Sequence, residues 1–135
     1  MTLQKTIYLK ATKPQVWAYL TEPAKMAAWF HAPKSPLTAG QPYEMFGTTS
    51  GDKLMWGDVL VSEPHDRLDY TFTITPMGDA VSTVSFTLDD VPGGVRLTLN
   101  HTGLPAGEEA FGLTLALDKG WDGHLGDLRS ALHDS

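Results

Sequence analysis

Residues 115–132 of the chain have the sequence LALDKGWDGHLGDLRSAL, and their apolar pattern predicts the architecture of the domain. Apolar side chains recur at intervals of 4, 4, 3 and 4 residues, at Leu117, Trp121, Leu125, Leu128 and Leu132. This spacing places them on one face of an amphipathic α-helix. The sequence therefore predicts a C-terminal helix that buries one apolar stripe against the rest of the protein.

Three glycines lie within this predicted helix, although helices disfavour glycine. Gly120, Gly123 and Gly126 each cost roughly 1 kcal/mol of helix propensity relative to alanine. His124 lies on the apolar face, one turn after Gly120. A polar group in such a position needs a hydrogen-bond partner or a ligand. These two features make this face of the helix a candidate functional site.

The composition excludes several classes of protein. A length of 135 residues suits one core, and we expect a single domain over residues 1–135. The net charge of −6 and the scattered Lys and Arg residues argue against binding to nucleic acid or to an anionic membrane surface. The absence of cysteine excludes disulfides and thiolate chemistry. Because the N-terminus has no apolar signal core and no apolar run is long enough to span a membrane, we expect a cytoplasmic protein.

The rest of the chain predicts one strand, two short helices and then a series of strands. Residues 2–11 alternate as a strand does, and Thr12 is placed to cap a helix with Pro14 in its first turn. Residues 23–30 predict a second short helix, and the Pro- and Gly-rich residues 31–42 predict a loop. About five strands follow, joined by short turns, so they must be mostly antiparallel.

These elements predict an α+β fold in which a curved antiparallel sheet of about six strands grips one long C-terminal helix. The clearest strand covers residues 67–75, where alternation turns four apolar side chains towards the core and leaves Asp69 and Thr73 among the side chains facing water. Only the C-terminal helix is long enough to cover the apolar face of the sheet, since about 24 residues span roughly 36 Å.

Four stretches, in order along nearly the whole chain, carry a family resemblance. They are ATKPQVWAYLTEPAKMAAWF, WGDVLVSEPHDRLDYTF, VPGGVRLTLNHTGLP and GWDGHLGDL. Together they resemble the START-like, or SRPBCC, superfamily, which has the helix-grip fold of the birch pollen allergen. Within it, the chain is similar to the family named for homology to an activator of the heat-shock protein 90 ATPase.

The resemblance implies a cavity between the sheet and the long helix, and this bears on the glycines. In one interpretation Gly120, which borders the apolar stripe, leaves volume at this cavity. In the other it lets the helix pack close to the sheet or bend over it. Both stay open for Gly120, and neither is favoured for Gly123 and Gly126.

The resemblance also implies which side chains line the cavity. We expect contact with a ligand from five of them: Trp29, Tyr70, His101, Trp121 and His124. For the two histidines, the alternative is a structural role, with the ring bonded to a strand carbonyl or a tyrosine hydroxyl. His31 begins the loop that would border the cavity entrance.

Three functions follow from these expectations. The leading one is non-catalytic binding of a small hydrophobic or amphipathic ligand. The second is an enzyme, because the wider superfamily includes aromatase/cyclases and dehydratases; its acid–base pair would have to be His101 with Tyr70 or His124. The third is a chaperone partner with a role in the stress response, as the family name implies.

No catalytic residue, cofactor or metal site is expected. The chain has no G-x-S-x-G elbow, and no two histidines have the H-x-H or H-x-x-x-H spacing of metal ligands. We expect a monomer or a homodimer.

Overall fold

The structure of the protein, a computed structural model, describes residues 1–133. The elements are, in chain order, β1 (Leu3–Leu9), α1 (Lys13–Thr21), α2 (Pro23–Met26), β2 (Ala32–Pro33), β3 (Pro42–Phe46), β4 (Lys53–Glu63), β5 (Arg67–Ile74), a 3-10 turn (Thr75–Met77), β6 (Ser82–Val91), β7 (Gly94–Thr102), a second 3-10 turn (Glu108–Ala110) and α3 (Phe111–His133).

One antiparallel sheet contains all seven strands, in the order β1-β7-β6-β5-β4-β3-β2. The predicted α+β helix-grip fold is confirmed, with one strand more than expected. The added strand, β2, lies in the segment that was predicted to be a loop, where Ala32 pairs with Phe46 and Pro33 with Met45. A strand of two residues is too short to show alternation, so periodicity could not reveal it.

Helix α3 covers the sheet with the stripe that the sequence predicted. Trp121, Leu125, Leu128 and Leu132 are buried, and Leu117 is partly buried at the edge of the core. These side chains join one hydrophobic core with the inward residues of the strands. The spacing of apolar residues was therefore enough to orient the helix.

The two short helices follow local sequence signals, but the second is shorter than predicted. The Thr12 hydroxyl accepts a hydrogen bond from the backbone N–H of Gln15, whose side chain accepts one from the N–H of Thr12, and this capping box begins α1. Helix α2 ends at Met26, and residues 27–30 continue as hydrogen-bonded turns. These turns direct Trp29 and Phe30 into the core.

The outer face of β5 is less exposed than alternation predicted. Asp69 and Thr73 were expected to face water, and both are buried. The guanidinium of Arg67 covers Asp69 and donates to both of its carboxylate oxygens, while the Thr73 hydroxyl donates to the carbonyl of Ala80. Alternation identifies the face on which a side chain lies but not what covers that face.

Strands β4 and β5 approach each other closely at a glycine. A Cβ added to Gly57 would lie 2.3 Å from the carbonyl oxygen of Thr71. Tyr43 pairs with Gly57 across β3 and β4, and its hydroxyl reaches past the glycine to donate to that same oxygen. The β4–β5 register then shifts between Val59 and Val61. Glycine is needed here because any side chain would collide with the neighbouring backbone.

Candidate functional site

A pocket lies between α3, the turns after α2 and the strands β4 and β5. Its volume is about 110 Å³. Its walls are apolar apart from two imidazoles, and they are formed by Phe30, His31, Met55, Phe72, Ile74, Leu117, Gly120, Trp121 and His124. An apolar enclosure with a few polar groups is the usual form of a small-molecule site.

Gly120 contributes open space to this pocket. Apart from its chain neighbours Lys119 and Trp121 and the nearby helix backbone, no heavy atom of the described residues lies within 4 Å of the position that a Cβ would take. The interpretation in which Gly120 permits close contact between helix and sheet is therefore wrong. Gly123 and Gly126 also meet nothing within 4 Å, but both are exposed on the outer side of the helix and do not line the pocket.

Aromatic rings form one wall of the pocket. Phe30 stacks on His31 with the ring centroids 4.6 Å apart and on Trp121 with the centroids 5.4 Å apart. His124 meets Phe30 edge to face at 4.8 Å and His31 edge to face at 5.2 Å. Such offset and perpendicular contacts are the favourable arrangements of aromatic pairs, so the wall has a defined shape.

The orientation of His124 is fixed by the backbone. Its Nδ1 lies 2.9 Å from the carbonyl oxygen of Trp29. A carbonyl can only accept a hydrogen bond, so Nδ1 carries the proton and donates it. In the neutral ring Nε2 then holds a lone pair, and it makes no hydrogen bond to any other residue that the structure describes. His124 therefore offers a free acceptor in the pocket.

His101 has a different role, deep in the core behind Trp121. The indole N–H of Trp121 donates to His101 Nδ1 at 3.0 Å. An indole nitrogen can only donate, so His101 Nδ1 is unprotonated and Nε2 donates to the Ser82 hydroxyl at 2.7 Å. That hydroxyl in turn donates to the carbonyl of Phe72 at 2.9 Å. Both ring nitrogens of His101 are thus occupied, and the ring has no exposed surface.

Burial keeps two histidines neutral. Burial, together with the neighbouring His124 imidazole, lowers the pKa of His31 from 6.5 to about 4. Burial alone lowers the pKa of His101 from 6.5 to about 4. Among the described residues, no acidic, lysine or arginine side chain lines the pocket.

The five residues predicted to contact a ligand occupy different places. Trp121 and His124 line the pocket. Trp29 lies behind the wall, with its indole N–H donating to the carbonyl of Tyr19 and its own carbonyl holding His124. His101 is separated from the pocket by Trp121, and Tyr70 is fully buried with a hydroxyl that has no partner among the described residues.

Sequence reasoning missed several wall residues. His31 was placed at the entrance, but Phe30, Met55, Phe72, Ile74 and Leu117 were not among the predicted contacts. Alternation and helical spacing identify such residues as inward-facing. They do not show which inward side chains meet a neighbour and which border a gap.

A larger concavity of about 650 Å³ lies elsewhere, between the segment after β2 and the strands β3 and β4. Its lining includes Lys34, Glu44, Lys53 and Asp58, and contains none of the five predicted residues. Lys53 and Glu44 already pair with each other at 3.2 Å. This groove lies at one edge of the sheet, away from α3, so the pocket at α3 is the better candidate for the predicted cavity between sheet and helix.

Comparison with known families confirms the resemblance seen in the four sequence stretches. Residues 10–133 match the family described as Activator of Hsp90 ATPase homolog 1-like protein. The chain belongs to this family. No curated protein is significantly similar to the sequence.

Several proteins of known structure share the fold of this chain. Protein MLL2253 from Mesorhizobium loti has a TM-score of 0.86 at 23% identity, covering 100% of this chain and 98% of that one. CalU16 from Micromonospora echinospora has a TM-score of 0.79 at 24% identity, covering 97% and 75%. The Aha1 dimer from Colwellia psychrerythraea has a TM-score of 0.80 at 17% identity, covering 98% and 96%. At these identities the similarity establishes the fold.

Residues 1–133 contain neither a membrane-spanning helix nor a cluster of metal ligands. None of the helices in this range is long and apolar enough to cross a membrane. Within the same range, no three or more His, Cys, Asp or Glu side chains are grouped so that they could hold a metal ion.

Proposed function

We propose that this protein binds a small hydrophobic or amphipathic ligand in the pocket beneath α3. The apolar part of the ligand lies against Phe72, Leu117 and Trp121, and its polar group lies near His31 and His124. The observation that carries this proposal is the open space at Gly120, in the middle of a helix whose next residue, Trp121, is buried in the core.

The volume of the pocket limits the size of the ligand that it can enclose without movement of its walls. Apolar protein cavities of about 150 Å³ take up benzene. A pocket of about 110 Å³ is smaller than this, so it encloses a short alkyl chain or part of one ring, and the rest of a larger ligand extends through its open side or displaces a wall side chain. Met55 is the wall residue best suited to move for a larger group, because its unbranched side chain has three rotatable bonds and adapts to its surroundings.

The polar groups of the pocket favour a ligand that is not purely a hydrocarbon. The free Nε2 of His124 accepts a hydrogen bond, and the ring nitrogens of His31 make none to the described residues. Burying these groups under a purely apolar ligand would leave them unsatisfied, at a cost of about 1–3 kcal/mol each. A ligand with one polar end avoids that cost.

Titration of the protein with benzyl alcohol, followed by two-dimensional NMR, tests the proposal. We expect saturable shifts centred on Phe30, Trp121 and His124, together with stabilisation of the fold against heat, because a ligand that binds only the native state stabilises it. Native mass spectrometry of protein purified from its own host would then search for the natural ligand. Shifts confined to the outer groove, or none at saturation, would refute the proposal.

A further inference from the structure

We propose that the ligand of this pocket is a small organic acid, an aromatic or short aliphatic carboxylate, and that it binds together with one proton. This inference rests on the proposed function, because it concerns the same pocket. It follows from how His124 and His31 are held and from the charges that the pocket lacks.

His124 is arranged to take up a proton, whereas His101 is not. When His124 gains a proton on Nε2, its Nδ1–H still donates to the Trp29 carbonyl, so no existing contact is lost. If His101 gained a proton, Nδ1–H would face the indole N–H of Trp121, and two donors would oppose each other. Of these two histidines, only His124 can therefore become charged without breaking a hydrogen bond that its ring already makes.

The surroundings of His124 supply no counter-charge for a protonated ring. His31 lies 5.2 Å from His124, ring centroid to ring centroid, and a charge on one imidazole disfavours a charge on the other. Asp118 and Asp122 on α3 pair with Lys5 of β1 on the opposite side of the helix. Among the described residues, no acidic side chain lines the pocket to balance an imidazolium.

The remaining charged side chain near His124 on its own helix is Asp127, one turn further along. It is exposed and makes no ion pair with His124 within the described chain. The strands that face His124 across the pocket contribute Met55, Phe72 and Ile74, none of which titrates. A carboxylate entering the pocket would therefore be the counter-charge that the imidazole pair lacks.

A carboxylic acid group also matches the hydrogen-bonding pattern of the pair. Nε2 of His124 accepts a hydrogen bond, and the neutral ring of His31 has one nitrogen that donates. The added proton is shared between the carboxylate and Nε2 of His124, so the complex holds one proton more than the free anion and the free protein, and it needs both groups to hold it. An amide has the same donor and acceptor pattern, but its bonds lack the charge assistance that roughly doubles the strength of a hydrogen bond.

Calorimetric titration with benzoate and with the neutral, isosteric benzamide tests this inference. We expect benzoate to take up about one proton per site, measured from the difference between two buffers of unequal protonation enthalpy. Its affinity should fall several-fold per pH unit between about pH 6.5 and 8, and at most tenfold, as linkage requires for one proton. Benzamide should show no uptake and no pH dependence.

Variants assign the proton to the pocket. The glutamine in His124→Gln can still donate to the Trp29 carbonyl but cannot be protonated. We therefore expect this variant to lose proton uptake and to bind benzoate at least tenfold more weakly at pH 6.5. The control His65→Asn, which removes an exposed histidine in the β4–β5 turn, should change neither the proton uptake nor the affinity for benzoate. Should His124→Gln fail to fold, proton uptake by the wild-type protein decides the matter.

The outcomes separate this inference from the proposed function. Benzamide bound in the pocket with no binding of benzoate, or benzoate bound without proton uptake, would overturn the inference and leave the binding function intact. Proton uptake that persists in His124→Gln would also overturn it. If benzoate, benzamide and benzyl alcohol all fail to bind, both proposals fall.

Discussion

The indole N–H of Trp121 on α3 donates to Nδ1 of His101 on β7 at 3.0 Å. This contact ties the long helix to the centre of the sheet and fixes the neutral tautomer of a fully buried histidine. The same indole forms part of the pocket wall on its other side. The hydrogen bond between Trp121 and His101 therefore positions one wall of the candidate site. Its contribution can be measured as a change in the free energy of unfolding.

The first prediction concerns pH. Burial lowers the pKa of His101 to about 4 from 6.5, so the unfolded chain binds more protons between these values than the folded protein does. The stabilising contribution of neutral His101 is complete above about pH 6.5 and is lost as the pH falls towards 4. The loss is on the order of 3 kcal/mol at most, and urea unfolding at a series of pH values measures it.

A matched variant isolates this contribution from that of the carboxylates and of His31. His101→Gln retains one acceptor for Trp121 and one donor for Ser82, but it cannot take up a proton. We expect its stability to depend less steeply on pH between about 4 and 6.5 than that of the wild type. Identical pH profiles for the two proteins would show that His101 does not hold the depressed pKa.

The second prediction separates the two roles of Trp121. Trp121→Ala removes a buried ring and should cost about 3–5 kcal/mol. Trp121→Phe keeps a ring but leaves Nδ1 of His101 without its donor, and it should cost about 1–3 kcal/mol. Urea titration of both variants provides the measurement. A loss below about 1 kcal/mol for Trp121→Ala would mean that this side chain is not part of the core.

The third prediction compares two buried tyrosines whose rings lie 5.3 Å apart, centroid to centroid. The Tyr43 hydroxyl donates to the Thr71 carbonyl, whereas the Tyr70 hydroxyl has no partner among the described residues. Tyr43→Phe should cost about 0.5–1.5 kcal/mol, while Tyr70→Phe should be neutral or slightly stabilising. Thermal unfolding distinguishes them. A Tyr70→Phe variant as unstable as Tyr43→Phe would indicate that the Tyr70 hydroxyl binds an ordered water.

The sequence predicted the fold well because the fold depends on periodic patterns. The stripe from Leu117 to Leu132 and the alternation of β5 specify which faces are buried, and the capping box begins α1 where Thr12 indicated. Short elements without a period were missed or misjudged. Strand β2 has two residues, and α2 ends at Met26 because the following residues form turns.

The candidate site was only partly predictable, for a physical reason. Helical spacing placed Gly120, Trp121 and His124 on the inner face, and all of them line the pocket. The partner of each buried polar group depends on contacts between residues far apart in sequence, such as His124 with the Trp29 carbonyl. For this reason His101 and Tyr70, which face inward as expected, could not be recognised from the sequence as lying behind the pocket wall.

The fourth prediction concerns the close approach at Gly57. A methyl group there would lie 2.3 Å from the backbone oxygen of Thr71, which cannot move without disturbing β5. Gly57→Ala should therefore cost about 1–3 kcal/mol, as overpacking does. Gly126→Ala, on an exposed part of α3 with open space around it, should instead gain up to about 1 kcal/mol. Denaturant unfolding gives the free energy of unfolding of both variants. A Gly57→Ala variant as stable as the wild type would contradict the close approach of β4 and β5 at this position.

The central claim is that Gly120 leaves a ligand-sized space beneath α3, and Gly120→Leu tests it directly. The control is Gly123→Leu, which gains the same helix propensity on the exposed side of the helix. Both variants should be more stable than the wild type, by up to roughly 1 kcal/mol. The measurement is the affinity of each for benzyl alcohol by NMR titration.

We expect Gly120→Leu to be folded, stabilised and unable to bind benzyl alcohol, while Gly123→Leu binds it as the wild type does. A Gly120→Leu variant destabilised by about 1–3 kcal/mol would mean that the helix packs tightly at this position after all. A variant that keeps its affinity for benzyl alcohol would show that Gly120 does not border the binding site, and would contradict the proposed ligand pocket.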